Sequence, residues 1–169
     1  MTNRYSRFTL VLLTFISLGW LSCSTERDIC LEPKIVTVHL GCYRMSDDHT
    51  SILDTLLPNA NIIAIKNDSL FGWIVGAKSN NKFGLPLSPK ADSCAWIIQP
   101  DSSVLAIDTL VFHYKNTVHF LSTACGYTYF YNLDSVNTTK HNIDSIIISS
   151  TGITNNANIE HVKVYFHKS

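Results

Sequence analysis

The sequence is poor in charge and has no excess of either sign: 13 basic and 13 acidic residues in 169, for a formal net charge of +0. Nothing in that balance neutralises phosphates, so a nucleic-acid partner is disfavoured. A charged fraction of 15% also argues against a coiled coil or a solvated acidic tail. Glycine and proline are few and never clustered, which leaves no flexible linker and favours one domain. Fixed-spacing chemistry is missing too. No C-x₂₋₄-C pair, H-E-x-x-H, G-x-S-x-G, P-loop or Rossmann fingerprint occurs.

What is present begins with an address. Arg4 and Arg7 precede the apolar run Phe8 to Leu21, and Cys23 follows almost at once. The run is too short to span a membrane, and its layout is that of a secretory signal over residues 1–22. A cysteine at that position suggests a lipoprotein: cleavage leaves Cys23 first, and its thiol takes a diacylglyceryl group. Lipid then replaces a transmembrane helix as the anchor. Trp20 stands where such cleavage sites usually carry Leu, and the small-x-small triplet Ser22-Cys23-Ser24 offers plain secretion as the alternative. Residues 23–33 read as a polar, acidic tether and 34–169 as the folded body. Acids soon after Cys23 are a surface-export signal in some bacteria, but Arg27 interrupts them here, so either side of the outer membrane stays open.

If Cys23 holds lipid, Cys30, Cys42, Cys94 and Cys125 remain. An oxidising compartment favours two disulfides among them. Alternation places Cys42 on the apolar face of Ile35 to Tyr43, and Cys94 with Trp96 and Ile98. The expected pairing is therefore Cys30–Cys125 and Cys42–Cys94, with unpaired thiols as the other reading.

The body reads as strands. Ile35 to Tyr43 alternates, and Ile52 to Leu57 is a short strand or helical turn ended by Pro58. Asn61 to Lys66 and Leu70 to Ala77 flank a turn at Asn67-Asp68-Ser69. Leu85 to Pro89 is extended. Cys94 to Gln99, Val104 to Tyr114, Val118 to Ser122, Tyr127 to Leu133 and Asn142 to Ser149 follow, with Lys115-Asn116 as a tight turn. In Ile159 to His167, Val162, Val164 and Phe166 face one way while His161, Lys163, Tyr165 and His167 face the other. About nine short strands without 3.6-residue periodicity predict an all-β antiparallel sandwich, with a closed barrel as the alternative.

The residues that bear chemistry are scattered. Seven histidines share no ligand spacing. A Lys115-Asn116 turn would turn His113 and His119 to opposite faces, and His161 and His167 lie about 20 Å apart along one strand. No metal or cofactor is expected. Cys125-Gly126 imitates a nucleophile beside a backbone donor, but a disulfide cysteine at a bend is the simpler reading. Asp47 and Asp48 are neighbours that point apart in an extended chain. The best binding candidate is the row Tyr127, Tyr129 and Tyr131, three rings on one strand face that suit a sugar or a protein partner if they are not core. Trp73, in Phe71-Gly72-Trp73, is a second such candidate.

Several blocks resemble a family of small lipoproteins of Gram-negative bacteria catalogued only as a domain of unknown function. They are Cys23 and Cys30 around Asp28, Ile35 to Tyr43, Leu85-Pro86-Leu87, Asp108 to Tyr114, Phe120 to Tyr127 with its Ala124-Cys125-Gly126-Tyr127 core, and Val162 to Phe166. The resemblance implies an exported, lipid-anchored protein and a Cys30–Cys125 link. It implies no activity, and Cys42 and Cys94 look like additions of this member. The function expected is that of an envelope lipoprotein of the outer membrane, non-enzymatic, binding or scaffolding another envelope component. A glycan- or small-ligand-binding module using the tyrosine row is the alternative, and a hydrolase with dispersed residues comes third.

Overall fold

A computed structural model describes residues 29–48, 50–66, 69–103 and 105–167, with 66 and 69–78 described by backbone alone. The leader, Cys23 and His49 lie outside the described residues, as does the side chain of Trp73. The chain divides into two units, 1–30 and 31–169. The second is all-β and contains two sheets, one curled into a half-barrel, in keeping with a sandwich.

Among the described residues eleven strands run in chain order: β1 (Thr37–Met45), β2 (Ile52–Asp54), β3 (Leu57–Lys66), β4 (Ser69–Asn80), β5 (Lys82–Pro86), β6 (Ser93–Gln99), β7 (Asp108–Ser122), β8 (Gly126–Thr138), β9 (Ile143–Ile148), β10 (Gly152–Ile153) and β11 (Val162–Phe166). One sheet has the order β2-β1-β11-β9, with β5 also paired to β1; the other runs β10-β8-β7-β6-β3-β4. Every pairing is antiparallel except β1 with β11, which places Leu40 opposite Val162 and Cys42 opposite Val164. A parallel pair needs a crossover. Here the whole second sheet intervenes in sequence, so the first sheet closes only when the end of the chain returns to its beginning.

Period-two alternation builds the core. Val36, Val38, Leu40 and Cys42 of the first sheet, with Val162, Val164 and Phe166, are buried; so are Trp96, Ile98, Leu110, Phe112, Tyr114, Tyr131 and Leu133 of the second. Each such side chain contributes about 1.5–3 kcal/mol of burial. At one end of this core Tyr114 and Tyr131 meet edge to face at 5.3 Å. The Leu87-Ser88 backbone takes their hydroxyls: Tyr131 donates to Leu87 O at 3.1 Å, and Tyr114 donates to Ser88 O while accepting from Ser88 N, both at 3.0 Å. The extended Leu85 to Pro89 segment thus serves as the clasp.

Four expectations change. Pro58 does not end an element; it is the second residue of β3, where a strand start tolerates a missing N–H. Lys115-Asn116 is no turn, for β7 runs through it and the reversal lies at Thr123 to Cys125. There the Cys125 amide donates to Ser122 Oγ at 3.0 Å, and Gly126 has φ 74°, the left-handed region that favours glycine. His113 and His119 therefore sit at even spacing on one strand. His161 and Tyr165 are buried, not wet: His161, just before β11, is bonded to His39 through both its amide and its Nδ1, and the Tyr165 ring lies beside that of Tyr43.

Candidate functional site

The tyrosine row lies on one face, as alternation predicts, but its cover fades along the strand. Tyr131 is 6% exposed, Tyr129 38% and Tyr127 68%. The reason is the length of the hairpin. In β7 the residues from Asp108 to Tyr114 alternate between buried and half-buried, whereas Lys115 to Phe120 are all exposed. Register carries the core face outward without a break: Tyr114 opposes Leu133, Asn116 opposes Tyr131, Val118 opposes Tyr129 and Phe120 opposes Tyr127. Directly opposed residues share a face, so Val118, Phe120, Tyr127 and Tyr129 continue the layer that holds Phe112 and Leu133. A shift between His113 and Tyr114 marks a bulge at the boundary of the two halves. Phe120 and Tyr127 touch edge to face at 5.2 Å, and His119 stacks on Phe130 at 4.1 Å.

The start of the domain lies against this hairpin. Thr128 Oγ1 donates to Lys34 O at 2.6 Å. Lys34, Ile35 and Val36 line a cavity of about 200 Å³ with Leu87, Tyr129 and Tyr131. Ile35 and Tyr129 remain exposed at its rim, and Val118, Phe120 and Tyr127 are exposed further out on the hairpin. Sequence reasoning found the tyrosines and missed Val118, Phe120 and Ile35. Register with Tyr127 would have revealed the first two, had the turn been placed at Gly126 rather than at Lys115.

A second cleft, of about 240 Å³, opens beside β1 and is lined by His39, Lys82, Glu160 and their neighbours. Burial lowers the pKa of His39, whose Nε2 pairs with Thr37 Oγ1 at 2.9 Å. Glu160 accepts the Tyr43 hydroxyl at 2.7 Å and lies where a side chain on Gly41 would collide with it. The imidazole and the carboxylate are thus each committed to another residue. Beneath them His161 is fully buried. Its Nδ1 accepts the His39 amide at 3.0 Å, and its Nε2 has no partner in bonding geometry. Burial first and His39 second lower its pKa, so it sits neutral.

The other acidic site is a clamp. Asp108 is buried and accepts from the amides of His141 (2.8 Å) and Asn142 (2.7 Å), from Thr139 Oγ1 (2.8 Å) and from Asn142 Nδ2 (3.1 Å). Burial alone would raise its pKa, but these donors outweigh that and hold it low. The carboxylate fastens the β8–β9 connection to the start of β7. Its contact with His141 Nδ1 is 3.5 Å. A second acid–histidine pair, Asp144 with His167, is half exposed at the end of the first sheet.

The cysteines divide unequally. Cys30 and Cys125 are disulfide-bonded. That removes Cys125 as a nucleophile. Cys42 and Cys94 are free thiols, so the expected Cys42–Cys94 bridge is not formed. Both face inward, but Cys42 stands beside Val164 in one sheet and Cys94 beside Phe112 in the other. Burial, with Glu160 nearby, pushes the Cys42 thiol up to about 12, so it stays protonated. Burial also raises Cys94. Among the described residues no group of three or more His, Cys, Asp or Glu is placed to hold a metal.

The arrangement defines a two-sheet β protein whose core face runs out into an open aromatic patch. The chain belongs to a family of unknown function (DUF6452), whose model matches residues 59–166. That span takes in the Asp108 to Tyr114 and Phe120 to Tyr127 blocks, the clasp and all of β11, and it begins after β1 and β2. No curated protein and no solved structure matches the chain.

Proposed function

We propose that the chain is a lipoprotein of the Gram-negative cell envelope, anchored in the outer membrane through Cys23, whose role is to bind or scaffold rather than to catalyse. The address at residues 1–23 supports the anchor. The observation that carries the binding role is the open hairpin: the strand face that is core at Tyr131 is bare at Tyr127. An apolar face that continues a core without cover supports a partner-binding role. Mass spectrometry of the purified chain tests the anchor. An acylated N-terminal Cys23, with Cys23→Ala released to the soluble fraction, is expected; an unacylated chain that still fractionates with membranes overturns it.

A glycan reading draws on one specific feature, the cavity between Tyr129 and Tyr131 beside the exposed Tyr127 ring. Aromatic faces suit the apolar faces of sugars. Retention on envelope polysaccharide that Tyr127→Ala and Tyr129→Ala both abolish would favour it over protein scaffolding.

A further inference from the structure

We propose that the open face of the β7–β8 hairpin rests on the lipid bilayer itself, on the membrane that holds the anchor. The inference rests on the lipid anchor proposed above and names what its binding face meets.

Position supports it first. Lys34 to Val36, where the chain enters the domain, is fastened to β8 by the Thr128–Lys34 bond and shares a cavity with Tyr129. Cys23 lies eleven residues before Lys34. A fully extended chain of that length reaches at most roughly 40 Å. The tether therefore enters the domain at the foot of the aromatic face, and anchoring keeps that face at a high effective concentration over the bilayer. A patch too small to bind membrane alone is then enough.

Composition points the same way. Phe120, Val118 and Ile35 are purely apolar, while Tyr127 and Tyr129 pair a ring with a hydroxyl. Rings with one polar end are enriched at the bilayer interface. Lys34, exposed beside them, suits phosphate headgroups.

A second exposed apolar patch supplies the control. Met45, Ile52, Leu53 and Leu56 are as open to solvent as the hairpin. They lie at the far end of β1, which at about 3.3 Å per residue is some 30 Å from its start beside Val36. Hydrophobicity alone would send both patches to the membrane; the point where the tether enters the domain favours the nearer one.

The test uses the full lipidated chain in phospholipid vesicles whose acyl chains carry bromine, a short-range quencher of tryptophan. Three variants are compared with the parent chain: Tyr127→Trp and Phe120→Trp on the hairpin, Ile52→Trp on the far patch. All three sites are exposed, so the substitutions leave the core untouched. A several-fold loss of the added emission in both hairpin variants, with little loss in Ile52→Trp, is expected. Equal quenching at both patches, or none at the hairpin, in a chain whose Cys23 is acylated overturns the bilayer contact and leaves the anchor standing. An unquenched hairpin that instead crosslinks to a protein in native envelopes likewise overturns it, in favour of a protein partner. Absence of the acyl mass overturns the anchor and this inference together.

Discussion

The two halves of the β7–β8 hairpin are built from the same kind of residues and differ in what lies over them. The inner half sets Leu110, Phe112 and Tyr114 against Leu133 and Val136, and the core closes on them. The outer half sets Val118 and Phe120 against Tyr127 and Tyr129, on the same face of β7 beyond a one-residue register shift at His113/Tyr114. The rest of the fold leaves those side chains uncovered. Hydrophobic patterning therefore marks which face of a strand is apolar, and the reach of the opposing layer decides which part of that face becomes core.

The sharpest way to break this comparison is to truncate one ring in each half. Phe112→Ala should destabilise the fold by about 3–5 kcal/mol, since it leaves a cavity in a packed interior. Phe120→Ala should change stability by less than about 0.5 kcal/mol, as exposed substitutions do. Chemical denaturation of the two variants measures both. Equal losses would mean that the outer half is packed after all.

Next in size is the carboxylate that fixes the start of the inner half. Asp108→Asn keeps the shape, removes the charge and aims an amide at backbone donors, and should cost about 2–3 kcal/mol. Stability against pH sharpens the point. The folded pKa of Asp108 is lowered, so its contribution is complete above the unfolded carboxylate value and fades as pH falls below about 4. His161 acts earlier. Its folded pKa is also lowered, so the folded state resists its protonation, and stability falls as pH drops below about 6.5. His161→Gln should reduce that first segment of the profile, to which His39 also contributes, and leave the second, read by thermal unfolding between pH 7 and pH 3.

The smallest effect concerns one hydroxyl in each half. Tyr131→Phe removes the bond to Leu87 O and should cost about 1 kcal/mol. Tyr129→Phe should cost nothing measurable, its ring being far less covered. A stability difference near zero between the two would show that the Leu87 clasp does not order the end of the core.

Much of this was legible in the residues. Alternation in Ile35 to Tyr43, Cys94 to Gln99 and Val162 to Phe166 named the buried set, and Tyr127, Tyr129 and Tyr131 do share a face. The turn at Lys115-Asn116 misled because polar residues in sequence mark exposure, and exposure there comes from a strand that overshoots its cover. Gly126 was the better signal, since its positive φ is a backbone requirement. The inward direction of Cys42 and Cys94 was readable, yet direction does not bring two strands together; strand order does, and it put them in different sheets.

Local periodicity and composition were enough to give the all-β character and the apolar faces of the strands. Only the tertiary structure decided that β11 returns beside β1, that His161 is sealed and that the hairpin's outer face stays bare. The first two depend on contacts between residues more than a hundred positions apart, and no local pattern encodes how far one layer extends over another.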